Sequence, residues 1–544
     1  MARTVTLRPW QKAALERLAA SDSADFLAVA TPGAGKTTFA LMAARQALAG
    51  DPARRLLVVV PTAHLKLQWA RAALSFDLHL DPQWSATDGA LPADTHGVVM
   101  TYQQVAGCAG VIAGLAAGSF VIFDEIHHAA DDRAWGDAIR TAFAPAARRL
   151  ALSGTPFRSD VSAIPFVRYQ HEEAVADYEY GYGDALADGG VVRPVYFPRI
   201  DGMMEWTAPD GSFHSHSFDD PLDAARAGQR LRTAYSLEGE WLPHVLRQAH
   251  DQLLAVRARQ PDAAGLVIAT DQDHAKGIAR LFRDRFGVRA VVATSDDPEA
   301  SSHISRFATG TDPWIVAVRM VSEGVDIPRL RVGVFATTTT TELFFRQAVG
   351  RLVRWTRGLR GQKAFLFIPD EPRLRARAFS IAEQRRHSLR HEDREVVPRA
   401  EPVEELLEPE QGSFFAPISA VPTGMTAEGA EWTLDEDGLA EPAEDAALVV
   451  PLPPLPAGGR RLAAVVPEGR TLREHKQRLR DANTSRVRMI ARATGMTHAA
   501  VNGELNRTLG LKRISEATVE QLERRLAKAD QWWQQASAAS RTGS

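Results

Sequence analysis

From Phe26 to Phe123 the chain repeats one pattern: a short run of apolar and β-branched residues, then a longer stretch with helical spacing. The runs are Phe26–Ala30, Leu56–Val60, Val98–Thr101 and Phe120–Phe123. Continuous apolar runs separated by helices predict a parallel sheet buried on both faces, because a half-exposed strand would alternate polar and apolar positions instead. A second series, Leu266–Thr270, Val288–Thr294, Trp314–Val318, Val332–Thr337 and Ala364–Ile368, predicts a second sheet of the same kind. The chain is therefore expected to hold two α/β lobes.

The remaining sequence is less regular. Between Phe157 and Pro261, Tyr178, Tyr180 and Tyr182 stand in a glycine-rich setting, followed by helix-like spacing over Ala224–Arg259. From Glu395 to Gly458, 14 acidic residues stand against one basic, with frequent proline and no sustained period, which is the composition of a flexible linker, at best partly ordered. Helical spacing returns over Thr471–Ser544 with an excess of about seven positive charges. There Thr518 and Gln521 form a capping box, and Val519, Leu522, Leu526, Ala529 and Trp533 share a helix face.

The 544 residues carry a net charge of -3, but this sums segments of opposite sign and does not decide a partner. The single cysteine, Cys108, excludes an internal disulfide framework and a cysteine zinc cluster, so a reduced, cytoplasmic setting is expected. An unreactive core or loop thiol is the expected role for it. Met1–Trp10 has no apolar signal core, and no run approaches the ~20 apolar residues of a membrane span, so no membrane partner is expected.

Chemistry concentrates at a few places. Ala30-Thr-Pro-Gly-Ala-Gly-Lys-Thr37 follows a predicted strand and precedes a helix-like run. Gly33 and Gly35 let the backbone curl so that successive N–H groups face an anion, Lys36 supplies a point charge, and Thr37 offers a hydroxyl to Mg²⁺. The strict pattern begins with glycine where Ala30 stands, and a chance glycine turn is the alternative. Phe120-Val-Ile-Phe-Asp-Glu-Ile-His-His128 ends a strand with two carboxylates, where an α/β sheet presents ligands. Asp124 suits Mg²⁺ held through water, and Glu125 suits orientation of an attacking water. His127 and His128 lack further spaced ligands and suit a polar contact between lobes better than a metal. Gln347, Arg351 and Arg354 fall at helical spacings along one face, as arginines that approach a γ-phosphate would.

The loop together with Asp124-Glu125-Ile126-His127 resembles motifs I and II of superfamily 2 helicases in their DEAH-like form. Further motifs follow in order. Arg8-Pro9-Trp10-Gln11 resembles the adenine-reading Gln motif, Pro61-Thr62-Ala63-His64-Leu65 motif Ia, Thr101-Tyr102-Gln103 motif Ic, and Ser153-Gly154-Thr155-Pro156-Phe157 motif III. Ala269-Thr270 is similar to motif IV, Val321–Pro328 to motif V, and Arg346–Arg354 to motif VI. The resemblance covers Val5 to Pro369.

It implies two tandem RecA-like parallel-sheet lobes, an acidic linker and a small helical C-terminal module. The expected divisions are 1–160 for lobe one, 161–260 for an interlobe insertion leading into lobe two, 261–394 for lobe two, 395–470 for the linker and 471–544 for the basic module. It implies ATP and Mg²⁺ held by Arg8, Gln11, Thr31, Pro32, Gly33, Ala34, Gly35, Lys36, Thr37, Thr38, Gly324 and Asp326, with Thr37 and Asp124 toward the metal. Lys36, Asp124, Glu125, Gln347, Arg351 and Arg354 would carry turnover. Pro61, Thr62, Thr101, Tyr102, Gln103 and Thr270 would grip nucleic acid at its phosphates, although turn and cap chemistry is the plain alternative for each.

Gln68-Trp69 and Arg158 look most like the branch that contains restriction-enzyme translocase subunits and XPB-like helicases, which implies duplex DNA and 3′ to 5′ movement. An RNA-dependent ATPase is the second expectation, and a nucleotide-gated recruitment subunit the third. The C-terminal module, with Lys512-Arg513 between two helices, reads equally as a DNA- or partner-binding unit and as a self-packed hairpin sealed by Trp532-Trp533. His214 and His216 are expected in a polar loop with no metal.

Overall fold

The computed structural model describes residues 4–51, 53–86, 91, 95–130, 133–154, 164–170, 173–208, 210–294, 300–318, 327–389, 416–426, 448–453, 472–511, 514 and 517–542. Among the described residues the first sheet has seven strands, in the spatial order Tyr178–Tyr180, Asp25–Ala30, Arg148–Ser153, Phe120–Phe123, Leu56–Val60, Gly97–Thr101 and Leu80–Asp81. Every pairing in it is parallel. The strand interiors, such as Leu56 to Val60, are entirely buried, as the continuous apolar runs require. Because all strands run one way, their C-terminal ends lie on one edge: Val29 is level with Ser153, Val59 with Phe123, and Val60 with Thr101. The loops that follow those residues therefore come out side by side, where parallel sheets bind ligands.

The second sheet has a parallel core in the order Arg199–Thr207, Ala364–Pro369, Leu330–Ala336, Ala264–Ala269, Trp314–Ala317 and Ala290–Ala293. Val195–Tyr196 adds to it beside Ala364 and Phe365. Helices Ala224–Ala234, Trp241–Arg257 and Gln272–Phe286 bury Leu231, Trp241, Leu246 and Ile278 against one face. One buried apolar cluster runs from Phe26 and Leu150 through Tyr180, Tyr182 and Val192 to Val353 and Leu366, so the two lobes share packing.

The segment read as an interlobe insertion divides between the lobes. Tyr178–Tyr180 forms an edge strand of the first sheet, and Arg199–Thr207 with Phe213–Ser217 extends the second. His214 and His216 consequently lie in a strand, stacked and tilted on Trp206, and not in the expected loop. The acidic segment is also partly ordered. Ala416–Thr426 pairs antiparallel with Arg199–Thr207, and its two register shifts put Pro417 and Pro422 at irregularities, where the missing N–H costs no ladder bond. Leu448–Pro451 then pairs with Thr4–Leu7, so this segment runs from an edge of lobe two to the beginning of lobe one.

The C-terminal module consists of helices Leu472–Thr494, His498–Thr508 and Val519–Thr542. Val487, Ile490, Val501, Leu505 and Ala529 form its core, with Trp532 and Trp533 packed against it. The Thr518–Gln521 capping box forms, each backbone N–H donating to the other's side chain. Among the described residues no helix is long and apolar enough to cross a membrane.

Candidate nucleotide-binding site

The phosphate loop leaves strand Asp25–Ala30 and enters helix Lys36–Gly50. Gly33 and Gly35 have φ of 84° and 92°, a left-handed backbone that carries a steric cost for residues with a Cβ. The helix has no side-chain cap, so its first-turn N–H groups and Lys36 face the cleft as an anion site. Three side chains at the start of helix Pro9–Ala20, its N-cap residue Arg8 included, fix the curl. Arg8 Nη1 donates to the carbonyls of Gly33 and Ala34 at 3.0 and 2.8 Å, Trp10 Nε1 to Ala34 at 3.1 Å, and Gln11 Nε2 to Gly35 at 2.9 Å. With those carbonyls held outward, the loop N–H groups are left for a ligand. The geometry gives Arg8 and Gln11 a buttressing task, whereas the resemblance implied adenine reading. Trp10 itself stacks on Tyr180 at 5.0 Å, which binds the loop support to the first sheet's edge strand.

Lys36 Nζ lies 3.2 Å from Glu125 Oε1 and 3.2 Å from the Ala30 carbonyl. Glu125 Oε2 accepts from the Gly154 N–H at 3.0 Å, so strands ending at Ala30, Phe123 and Ser153 converge on one carboxylate. Glu125 has φ of 47°, a strained backbone of the sort stored at functional positions at about 1–3 kcal/mol. Burial pushes its pKa up, but Lys36, His127 and the Gly154 N–H outweigh it and bring the carboxyl down to about 2. Asp124 shifts the other way, to about 6, because removal from water and the neighbouring Glu125 charge both penalise its anion. The two carboxyls thus differ in basicity although they are adjacent in sequence.

Trp69 Nε1 donates to Asp124 Oδ2 at 2.8 Å, and the Tyr102 hydroxyl donates to the Asp124 carbonyl at 2.9 Å. Both side chains are buried, at 2% and 0% exposure. For Tyr102 this corrects the expected phosphate contact: the phenol is an interior brace. The Thr101 side chain closes a capping box with Gln104, and the Thr270 hydroxyl donates to the Ala336 carbonyl at 3.3 Å, so both carry the plain local chemistry. Gln103 is exposed, and Pro61 and Thr62 are partly exposed. Cys108 is half-buried with its thiol on the Gln104 carbonyl, and burial pushes its pKa up, away from nucleophilic behaviour.

Lobe two meets this site through helix Glu342–Leu352. Gln347 Nε2 lies 3.3 Å from His127 Nε2, so His127 makes the polar contact between lobes. Gly350 lies against Pro32, and the Arg354 backbone and Cγ lie against Gly33. Arg351 is in the last turn of the same helix. Arg354 is not on the helix, as its spacing had suggested. The last turn closes through Val353 N–H on the Val349 carbonyl, the Val353 carbonyl then accepts from Arg193, and Arg354 forms a bridge with Val192. Thr155–Arg158 and Val321–Asp326, with Gly324 among them, lie outside the described residues.

Residues 4–158 match the family described as Type III restriction enzyme, res subunit, and residues 246–356 match the helicase conserved C-terminal domain. The chain thus carries two regions that match helicase-type families, one in each lobe. An uncharacterised protein of Mycobacterium tuberculosis is 47% identical over 396 residues, which is 72% of this chain and 65% of that protein. The chain thus spans slightly under two thirds of the length of this relative. A Halobacterium salinarum protein named provisionally as a DNA 3'-5' helicase, Rad25, is 24% identical over 71% of this chain and 56% of its own length. The DNA-bound Type ISP restriction-modification enzyme LlaBIII resembles 67% of this chain with 27% of its own, at 15% identity and a TM-score of 0.45.

Proposed function

We propose that this helicase-family chain is a DNA-dependent ATPase that translocates on or unwinds duplex DNA, hydrolysing ATP between its lobes. The observation that carries the ATPase reading is the approach of Gly350 and Arg354 of lobe two to Pro32 and Gly33 of the phosphate loop, beside Lys36 and Glu125. Groups from both lobes then surround one triphosphate, and its binding draws the lobes together.

The residues present suit a magnesium nucleotide: a hydroxyl at Thr37, the Asp124 carboxyl and an N–H-lined loop. When bound, magnesium would neutralise charge on the phosphate oxygens. Lys36 exchanges its contact with Glu125 for a phosphate oxygen, which removes the largest opposite charge from that carboxylate and raises its basicity. Glu125, still held by Gly154, then orients water and accepts its proton. Arg351 and Arg354 stabilise charge on the departing phosphoryl group from the second lobe. Gln347 reports closure by meeting His127.

The preference for duplex DNA rests on the restriction-subunit match over residues 4–158. ATP hydrolysis by the full chain, measured with duplex DNA, single-stranded DNA and RNA, tests both parts. Stimulation by duplex DNA is expected; stimulation by RNA alone would overturn the substrate assignment, and none by any nucleic acid would overturn the motor reading.

A further inference from the structure

We infer that the C-terminal module is a second, separate duplex-DNA grip: a helix-turn-helix whose helix His498–Thr508 enters the major groove. Helix Leu472–Thr494 stops at Gly495, whose φ of 73° is left-handed and whose N–H closes the last turn on the Ala491 carbonyl. Three residues, Gly495, Met496 and Thr497, make the turn, the length and glycine content of this motif. Thr497 then caps the next helix by accepting from the Ala500 N–H at 3.2 Å.

The second helix is built to be presented. It buries only Val501 and Leu505, one turn apart, while His498, Ala499, Ala500, Gly503 and Arg507 are exposed. Two apolar contacts do not hold an 11-residue helix in place. A polar clamp does it instead: Arg525, fully buried on the third helix, donates to Asn502 Oδ1 at 2.7 Å, Asn506 Oδ1 at 2.9 Å and Asn483 Oδ1 at 2.9 Å. The clamp therefore ties both neighbouring helices to the presented one without covering its outer face, and it fixes the angle at which that face projects.

Charge selects the occupant. Residues 471–544 hold fourteen Lys and Arg against seven Asp and Glu, in a chain whose net charge is -3. Arg488 and Arg492 are exposed one turn apart in the helix before the turn, where the motif's first helix crosses the phosphate backbone. Arg507 is paired with Glu504 at 2.7 Å, so the cationic field comes chiefly from that first helix, and the exposed N-terminal turn of the second helix holds small residues beside His498 and no Lys, Arg, Asp or Glu. Small side chains there let the helix backbone sit deep in a groove about 12 Å wide. An acidic protein surface would pair with the arginines but would not need the bare, alanine-rich turn.

The test uses the full chain without ATP and a fluorescein-labelled 30-base-pair duplex, with a single strand of equal length for comparison. Ala499→Glu combined with Ala500→Glu places acids in a helix's first turn, where they favour the helix, so the fold is retained while phosphate is repelled. Duplex affinity is expected to fall at least tenfold, with single-strand affinity little changed. Independently, Arg488→Ala with Arg492→Ala should lower the slope of log affinity against log salt by about 0.9 for each phosphate contact removed. Unchanged duplex affinity in the first variant together with an unchanged salt slope in the second overturns the inference. An equal loss on single strands also overturns it, since major-groove docking needs a duplex. No hydrolysis is involved, so the result is independent of the ATPase reading.

Discussion

Replacing Gly350 by alanine isolates lobe closure from nucleotide binding. A Cβ at this position would lie 2.5 Å from Pro32 Cγ and 2.7 Å from Pro32 Cβ, across the cleft. Carbon atoms in contact prefer about 3.5–4.0 Å, and a proline ring cannot rotate aside, so the lobes must part by about 1 Å. The Gln347–His127 contact, 3.3 Å in the parent, then stretches to about 4.3 Å, beyond hydrogen-bonding range. Arg354 recedes from Gly33 with it. A misplacement of about 1 Å at reacting groups costs about 10²-fold in rate. The helix itself gains, because alanine is better than glycine in a helix interior by about 1 kcal/mol. Gly350→Ala should therefore lower DNA-stimulated kcat about 100-fold. Its melting temperature and its affinity for a fluorescent ADP analogue, which under the proposed function is held by lobe one, should remain close to the parent's. The assays are steady-state hydrolysis and nucleotide titration on the same preparation. A kcat within twofold of the parent would refute the reasoning, since it would mean that turnover does not need this approach.

Other consequences follow from the same geometry. Glu125→Gln should bind ATP and abolish stimulated hydrolysis, and Lys36→Ala should lose both; retained turnover in either removes the assignment. Trp69→Phe takes one hydrogen bond from Asp124 Oδ2 while keeping an aromatic ring in a buried position, so the concentration of Mg²⁺ for half-maximal hydrolysis should rise several-fold with little change in melting. An unaltered magnesium titration would show that the indole only packs. Arg8→Ala removes donors from the Gly33 and Ala34 carbonyls and should weaken ADP binding about tenfold, by loosening the loop. Arg525→Ala leaves three asparagine oxygens without their donor at a cost of about 1–3 kcal/mol for each one that stays dry, and should make the C-terminal module sensitive to protease while the lobes resist. Equal resistance of the module would contradict the clamp.

Much of the architecture was legible because its signals are local. A strand buried on both faces, such as Leu56–Val60, is written as five apolar residues in a row, and the Gly33, Gly35 and Lys36 pattern is complete within one turn of chain. What escaped depends on contacts between distant segments. Trp69 reaches Asp124 across 55 residues, and nothing in its own neighbourhood tells an indole that braces a carboxylate from one that fills a core. Tyr102 looked like a surface phosphate ligand, yet the sheet edge turns it inward. Arg8 and Gln11 face the loop's carbonyls because the N-terminal helix lies beside the loop, which no spacing reveals. The strand Ala416–Thr426 falls in a segment whose acidic, proline-rich and aperiodic composition predicts a linker; its pairing with the distant Arg199–Thr207 accommodates the two prolines at register shifts. The helices on either side of Lys512-Arg513 are expected from the sequence, but the turn at Gly495–Thr497 and the exposure of helix His498–Thr508 after it required the fold.

The most direct measurement is single-turnover ATP hydrolysis with excess protein on duplex DNA, comparing the parent with Arg354→Ala. If the second lobe supplies charge to a triphosphate held by the first, the chemical step slows by about 10³-fold or more while nucleotide remains bound. A chemical step within tenfold of the parent would mean that the two lobes do not share the reaction.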